Sequence, residues 1–245
     1  MKKMKLIYEG KAKQVYATDN PNMVIQHFKD DATAFDGKKR GQILGKGAIN
    51  NQLSALLFLA LEEAGIPTHF VELLGARDML VKKLSIVPVE VVVRNIAAGG
   101  LSAKLGIPEG TPLKKTVIEF SLKSDALHDP PINHYHIAAL GLTSPQRLAL
   151  IEKYALEINK VLKIFFKKIN INVIDFKLEF GIHKGKLMLG DEISPDTCRF
   201  WDAKTGHKLD KDRFRRDMGG AEEAYQEVWR RVQGMVKKEL AINER

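Results

Sequence analysis

The sequence predicts an α+β protein, with a β-rich N-terminal lobe and a mixed α+β lobe after it. Three observations carry this. Short apolar runs with strand character cluster before residue 125, two long stretches from residues 44 and 145 have helical spacing, and residues 173–182 alternate strictly between apolar and polar positions. The division of the chain is expected near residue 84, giving segments 1–84 and 85–245.

Residues 6–8 and 14–18 read as two short strands around Gly10-Lys11-Ala12-Lys13, and 23–28 as a third. Ile49, Leu53, Leu56, Leu57, Ala60, Leu61 and Ala64 recur at helical spacing, which predicts a helix over 44–64. Gly65 and Pro67 are its stop signals. Strands are expected at 68–73, 79–84, 89–94 and 117–122, with a loop at 95–101 leading to a short helix at 102–105. Ser144-Pro145 supplies a capping hydroxyl and a proline at the first helical position, starting a helix that should run to about residue 168. A hairpin of 173–182 with 187–193, a short helix at 210–216 and a long one at 220–240 complete the reading.

Hydrophobic residues make up 44% and charged residues 28%, the balance of a soluble globular protein. The longest apolar run, 53–61, is far short of a membrane span. The N-terminal segment has basic residues but no apolar stretch of signal-peptide type, and the lone Cys198 can form no internal disulfide. Both features point to a reducing, cytoplasmic location with no membrane partner. Lys and Arg number 39 against 30 Asp and Glu, a net charge of +9 that favours anionic partners. The basic residues come as scattered doublets and aromatics are 7%, which argues against nucleic acid and for small phosphorylated ligands.

Residues 173–182 read VIDFKLEFGI. A strand would place Ile174, Phe176, Leu178, Phe180 and Ile182 on one face and Asp175, Lys177 and Glu179 on the other. A three-residue turn, His183-Lys184-Gly185, would pair Ile182 with Lys186 and bring Asp191 opposite Lys177. A two-residue turn would send Asp191 among the phenylalanines, a costly burial, so the first register is expected. Glu179 and Asp191 then form a carboxylate pair suited to Mg²⁺, with Lys177 between them. Spacing alone leaves a second reading open, a charge network on an exposed sheet face.

Other constellations are equally two-sided. Gly10-Lys11-Ala12-Lys13 is either a solvated turn or a hairpin over a polyphosphate, and it is not a Walker A sequence. Arg199 in Ser194-Pro195-Asp196-Thr197-Cys198-Arg199 is a surface arginine or a bidentate phosphate clamp. Arg94, beside Ala97-Ala98-Gly99-Gly100, is a strand end in solvent or part of a phosphate pocket. Lys123, Asp125, His128 and Asp129 form a charged loop without zinc-ligand spacing.

Taken in order, GKAKQVY (10–16), LVKKLSIVPVEVVVRN (80–95), LKSDALHDP (122–130), VIDFKLEFG (173–181), LGDEISPDTCRFWD (189–202) and DKDRFR (210–215) resemble the phosphoribosylaminoimidazole-succinocarboxamide synthases, or SAICAR synthetases. The resemblance covers roughly residues 5–235. It implies an ATP-dependent ligase that joins carboxyaminoimidazole ribotide to L-aspartate, giving ADP and phosphate. It also implies a nucleotide cleft between two lobes, distantly kinase-like, and by family habit a homodimer. Carried over residue by residue, it implies that Gly10, Lys11, Ala12 and Lys13 hold ATP phosphates and that Lys82 and Leu84 lie along adenine. Glu179 and Asp191 match the Mg²⁺ carboxylates, and Arg94 and Arg199 the residues on the ribotide phosphate. Glu90, Lys123, Asp129, Lys177 and Arg215 match positions near the ribotide or its reacting carboxylate. One departure stands out: relatives often read AAGS where this chain has Ala97-Ala98-Gly99-Gly100, so backbone N–H groups or Ser102 would have to serve. A small-molecule kinase on the same ATP scaffold and a basic nucleic-acid-binding protein are the competing readings.

Overall fold

The computed structural model describes residues 1–35 and 37–243. The chain opens with strands β1 (Lys3–Glu9), β2 (Lys13–Thr18) and β3 (Met23–Phe28), a small hairpin of β4 (Asp31–Ala34) and β5 (Lys39–Gln42), and helix α1 (Lys46–Glu63). Then come β6 (Phe70–Leu73) and β7 (Asp78–Lys82), which complete a five-stranded antiparallel sheet ordered β1-β2-β3-β7-β6. Between Lys82 and Ser85 the chain passes to a second sheet.

The chain continues through β8 (Ser85–Ile96), helix α2 (Gly100–Leu105), β9 (Pro112–Leu122), β10 (Pro131–Ile132), helices α3 (His134–Ala139) and α4 (Pro145–Lys167), then β11 (Ile171–His183), β12 (Lys186–Leu189) and β13 (Cys198–Asp202), whose six strands form that sheet. Helices α5 (Asp212–Arg215) and α6 (Ala221–Asn243) follow. The strand order is β10-β9-β8-β11-β12, and β13 also pairs with β11.

Strand β11 is the centre of this sheet, and its alternation decides what each face does. Ile174, Phe176, Leu178 and Phe180 are buried, and Val91 and Val93 of β8 lie opposite Leu178 and Phe176. Helix α4 contributes Leu148, Ile151, Ala155, Ile158, Leu162 and Phe166 at three- and four-residue spacing to the same core. Each large apolar side chain removed from water there contributes about 2 kcal/mol. The Ser144 side chain accepts from the Arg147 N–H and Pro145 opens the helix, as the sequence predicts. The opposite face of the sheet carries Glu90, Arg94, Asp175, Lys177 and Glu179, because Glu90 lies opposite Glu179 and Arg94 opposite Asp175.

The hairpin register differs from the expectation. His183 pairs with Lys186, so the turn has two residues, Lys184 (φ 48°) and Gly185 (φ 78°). Both need positive φ, the mark of the type I′ turn that matches strand twist. Extended regularly, this pairing would carry Asp191 into the core opposite Leu178. It does not extend: β12 ends at Leu189, the Gly190 N–H donates to the Glu179 carbonyl at 2.9 Å, and Asp191 takes φ 58°. That left-handed residue returns the carboxylate to the charged face, and Asp is among the few residues that tolerate it.

The chain becomes strand from Cys198 onward and places Arg199 opposite Asp175. The β4–β5 hairpin and helix α3 were not expected from the sequence. KRGQ in β5 has no apolar alternation to reveal it. Among the described residues, no helix is long and apolar enough to cross a membrane.

Candidate active site

Three carboxylates and three ammonium groups meet on the charged face of β11. Lys177 Nζ lies 2.9 Å from Glu90 Oε1, 2.8 Å from Glu179 Oε1 and 3.9 Å from Asp191 Oδ2. Lys123 Nζ, just past β9, lies 2.8 Å from Glu179 Oε1 and 3.8 Å from Glu90 Oε1. Lys13, the first residue of β2, donates to Asp191 Oδ1. Glu90 and Glu179 face each other across neighbouring strands, where like charges repel. The lysines offset that repulsion.

Burial pushes the Glu90 carboxyl up from its ordinary value, and the Lys177 charge counters only part of this. Burial also works against ionised Asp191, yet Lys13 and Lys177 together hold it well below the usual carboxylate range. Burial would depress Lys177; the charges of Glu179, Asp191 and Glu90 outweigh it and hold the ammonium well above its ordinary value.

The Glu179 and Asp191 oxygens converge on one ammonium group. Among the described residues, no three or more His, Cys, Asp or Glu side chains are arranged to hold a metal by themselves. Two hard oxygen donors do fit Mg²⁺ when phosphates and water complete the shell. The donor set is therefore right for an ion shared with a polyphosphate.

The first hairpin reaches this cluster through Lys13. Lys13 engages Asp191, and Lys11 Nζ lies 2.7 Å from Asp125 Oδ1. The Gly10 N–H donates to the Lys13 carbonyl at 2.8 Å, and the Ala12 carbonyl accepts from Lys29 N–H at 2.9 Å, which shapes the turn. Asp129 (φ 47°) accepts from the Ser124 N–H at 2.8 Å, fixing the turn that follows Lys123. The ammonium of Lys82 donates to the Thr68 carbonyl at 3.0 Å and, among the described residues, shares no partner with the cluster. Leu84, in the connection between the sheets, packs so closely on Gly181 and Gly190 that a Cβ at either would come within 2.7 or 2.8 Å of it.

A second constellation lies along the same face. Asp175, 3% exposed, stands between Arg94 on β8 and Arg199 on β13. Arg94 Nη1 is 2.7 Å from Asp175 Oδ2, and Arg199 Nη1 is 2.9 and 3.0 Å from its two oxygens. Arg94 Nε also reaches Glu119 at 2.5 Å. Arg199 Nε reaches Asp212 at 2.9 Å, and Arg215 Nη1 reaches the other Asp212 oxygen at 2.8 Å. Gly99 has φ 53°, and a Cβ there would lie 2.5 Å from Arg199 Nη2, so glycine is required on both counts. A cavity of about 320 Å³ opens beside Arg94, lined also by Gly100, Lys104, Glu119, Ser121 and His134. Ser102 is not part of that lining; its Oγ is buried without a hydrogen-bond partner.

The sequence reading missed Glu119, Ser121 and Lys104. The signal for the first two was the parity of β9: Glu119 and Ser121 pair with Val92 and Glu90, and so share their face. It also missed a buried knot behind the site. Lys46, wholly buried at the start of α1, lies 2.8 Å from Asp196 Oδ2. Lys211 Nζ approaches the same oxygen at 3.6 Å, and the Tyr225 hydroxyl donates to Asp196 Oδ1 at 2.5 Å. Nearby, burial pushes Glu192 up to about 7. This knot anchors the segment that carries Asp191 at one end and Arg199 at the other.

Comparison with known proteins places the chain in one group. The family model described as SAICAR synthetase matches residues 6–232. A phosphoribosylaminoimidazole-succinocarboxamide synthase of Clostridium perfringens (strain SM101 / Type A) is 57% identical over 229 residues, covering 94% of this chain and 97% of that protein. The crystal structure of the corresponding synthase from Ehrlichia chaffeensis superposes with a TM-score of 0.92 at 47% identity, covering 94% of this chain and 98% of the other. A SAICAR synthetase structure in complex with ADP superposes with a TM-score of 0.90 at 51% identity, covering 93% and 97%. The chain belongs to the SAICAR synthetase family, the ATP-dependent ligases of purine biosynthesis.

Proposed function

We propose that the chain joins carboxyaminoimidazole ribotide to L-aspartate at the expense of ATP, through an acyl phosphate. A ribotide carboxylate oxygen attacks the γ-phosphorus and ADP departs. The aspartate amine then attacks the acyl carbon, the bond from that carbon to the phosphate oxygen breaks, and the nitrogen loses a proton. Phosphoryl transfer of this kind needs positioning and charge neutralisation more than covalent help.

The observation that carries this reading is the juxtaposition of the two constellations on one sheet face. The Lys13, Lys123 and Lys177 cluster suits a polyphosphate and a reacting carboxylate. The Arg94 and Arg199 pair, on the two strands that flank Asp175, suits the phosphate at the far end of the ribotide. Gly10, Lys11, Ala12 and Lys13 then cover the ATP phosphates, with Lys82 and Leu84 along the adenine. Glu179 and Asp191 would hold Mg²⁺, which supplies charge neutralisation at the transferring group. Lys177 and Lys123 stand beside the reacting carboxylate, Glu90 orients Lys177, Asp129 positions Lys123, and Arg215 steadies Arg199 through Asp212. On the same reading, residues 1–84 form the nucleotide lobe and 85–245 the lobe with the acceptor and metal sites. The family resemblance supports a homodimer, and the lone Cys198 a cytoplasmic location.

The test is isotopic. With ¹⁸O in the ribotide carboxylate, the released phosphate should carry one labelled oxygen per turnover. Unlabelled phosphate would overturn the acyl phosphate. A stable phosphorylated product formed without aspartate would instead mark a small-molecule kinase.

A further inference from the structure

The arginine constellation balances its own charge. Its cations are Arg94, Arg199 and Arg215, and their partners are Glu119, Asp175 and Asp212. A phosphate monoester brings a charge of about −2 at neutral pH. A network that is already neutral offers hydrogen bonds but no net charge to offset that of the anion; a cation not yet committed supplies it. Lys104 is that cation. It is exposed, it lines the cavity together with Arg94 and Gly100, and it forms no ion pair with any described residue.

The helix explains the placement. Gly100 and Lys104 are four residues apart in α2, so they share a face, and both line the cavity. Ser102, two residues from each, points elsewhere, and its hydroxyl is buried. Gly100 leaves the cavity wall bare at its own position, since a Cβ built there meets nothing within 4 Å. The long lysine side chain one turn on can reach across that open wall.

We propose that Lys104 is a specificity residue for the phosphate of the acceptor substrate, completing the seat of Arg94 and Arg199. This rests on the ribotide reading above. It makes Lys104 the residue that converts a neutral salt-bridge network into a net cationic pocket. It also accounts for a site that works with Gly100 in place of a hydroxyl-bearing residue.

The experiment compares Lys104→Met with the unaltered protein on two acceptors, carboxyaminoimidazole ribotide and its dephosphorylated riboside. The ribotide KM should rise about tenfold, the size of one charge-assisted hydrogen bond at the weaker end. The ATP KM, kcat and riboside binding should stay within twofold. Lys104→Arg should restore the ribotide KM. Gly100→Ser, which the open wall admits, should recover part of it in the Lys104→Met background. An unchanged ribotide KM in Lys104→Met, or an equal loss for the riboside, overturns the assignment while leaving the ribotide reading intact. If the unaltered protein does not distinguish ribotide from riboside, both fail together.

Discussion

At one end of segment 191–199, Asp191 meets Lys13 and Lys177; five residues on, Asp196 meets Lys46, Lys211 and Tyr225. The residue types are the same and the surroundings are not. Lys177 and Lys123 keep 31% and 38% of their side chains exposed, whereas Lys46 and Asp196 keep 1% and 3%. The open cluster has three carboxylates sharing three lysines across distances from hydrogen-bonding contact to 3.9 Å, an arrangement that an incoming phosphate or metal ion can redistribute. The closed knot has every main contact made within the protein. On the proposed reading, charge serves ligand exchange in the first and positions a loop in the second.

The sharpest way to break this comparison is at the knot. Lys46→Met removes the buried ammonium with little change of volume and leaves Asp196 with Lys211 at 3.6 Å and the Tyr225 hydroxyl. Breaking a buried pair from one side costs about 3–5 kcal/mol, so urea denaturation should show a loss of that order. Among molecules that remain folded, the KM values for ATP and ribotide should hold. A raised KM with unchanged stability would place Lys46 in the ligand machinery and erase the distinction.

The complementary change is Asp191→Asn. Asn is at ease in the left-handed conformation that Asp191 adopts, so the substitution removes charge without straining the backbone. We expect a fall in kcat of about 10²- to 10³-fold, with a change in Tm of only a few degrees. A large stability loss with nearly normal turnover would mean that the open cluster, too, is structural.

How much of this was legible beforehand depends on where the information sits. The alternation in 173–182 showed both faces of β11 from sequence, because period-two patterning is a local property. The charged face of Asp191 was also anticipated, but by a wrong route. The expected register assumed that β12 continued, whereas a positive φ just past Gly190 restores the carboxylate to that face. A single backbone conformation leaves no periodic trace. Asp175 had no role in the sequence because its meaning lies in Arg94 and Arg199 flanking it on two other strands. Lys46 was the least legible: a lysine at a helix start looks like any solvated residue, and its partner lies 150 residues away.

The ion pair of Asp30 and Arg77 offers a smaller and cleaner test of the same contrast, since it belongs to neither cluster. Arg77 reaches both Asp30 oxygens, at 2.8 and 2.7 Å, and the Gly47 and Gly45 N–H groups donate to them at 2.9 and 3.2 Å. Asp30 thus caps α1, the helix that begins with Lys46. The Arg77 hydrogen bond, with those backbone donors, lowers the Asp30 carboxyl to about 2, against burial. An unfolded aspartate titrates near 3.9, so this stabilisation is fully present above about pH 4 and is lost as the pH falls toward 2; it is worth about 2 kcal/mol. Asp30→Asn should lower stability by about that amount at pH 7 and remove the corresponding part of the acid-induced loss, leaving kcat and both KM values unchanged. The readout is a set of denaturation curves between pH 7 and pH 2.5 for the two proteins. Parallel curves with a constant gap would show that Asp30 works through shape and not charge, and a shifted KM would show that the start of α1 communicates with the ligand cluster. With neither, stability tracks the burial of an ion pair, and catalysis tracks the exposure of one.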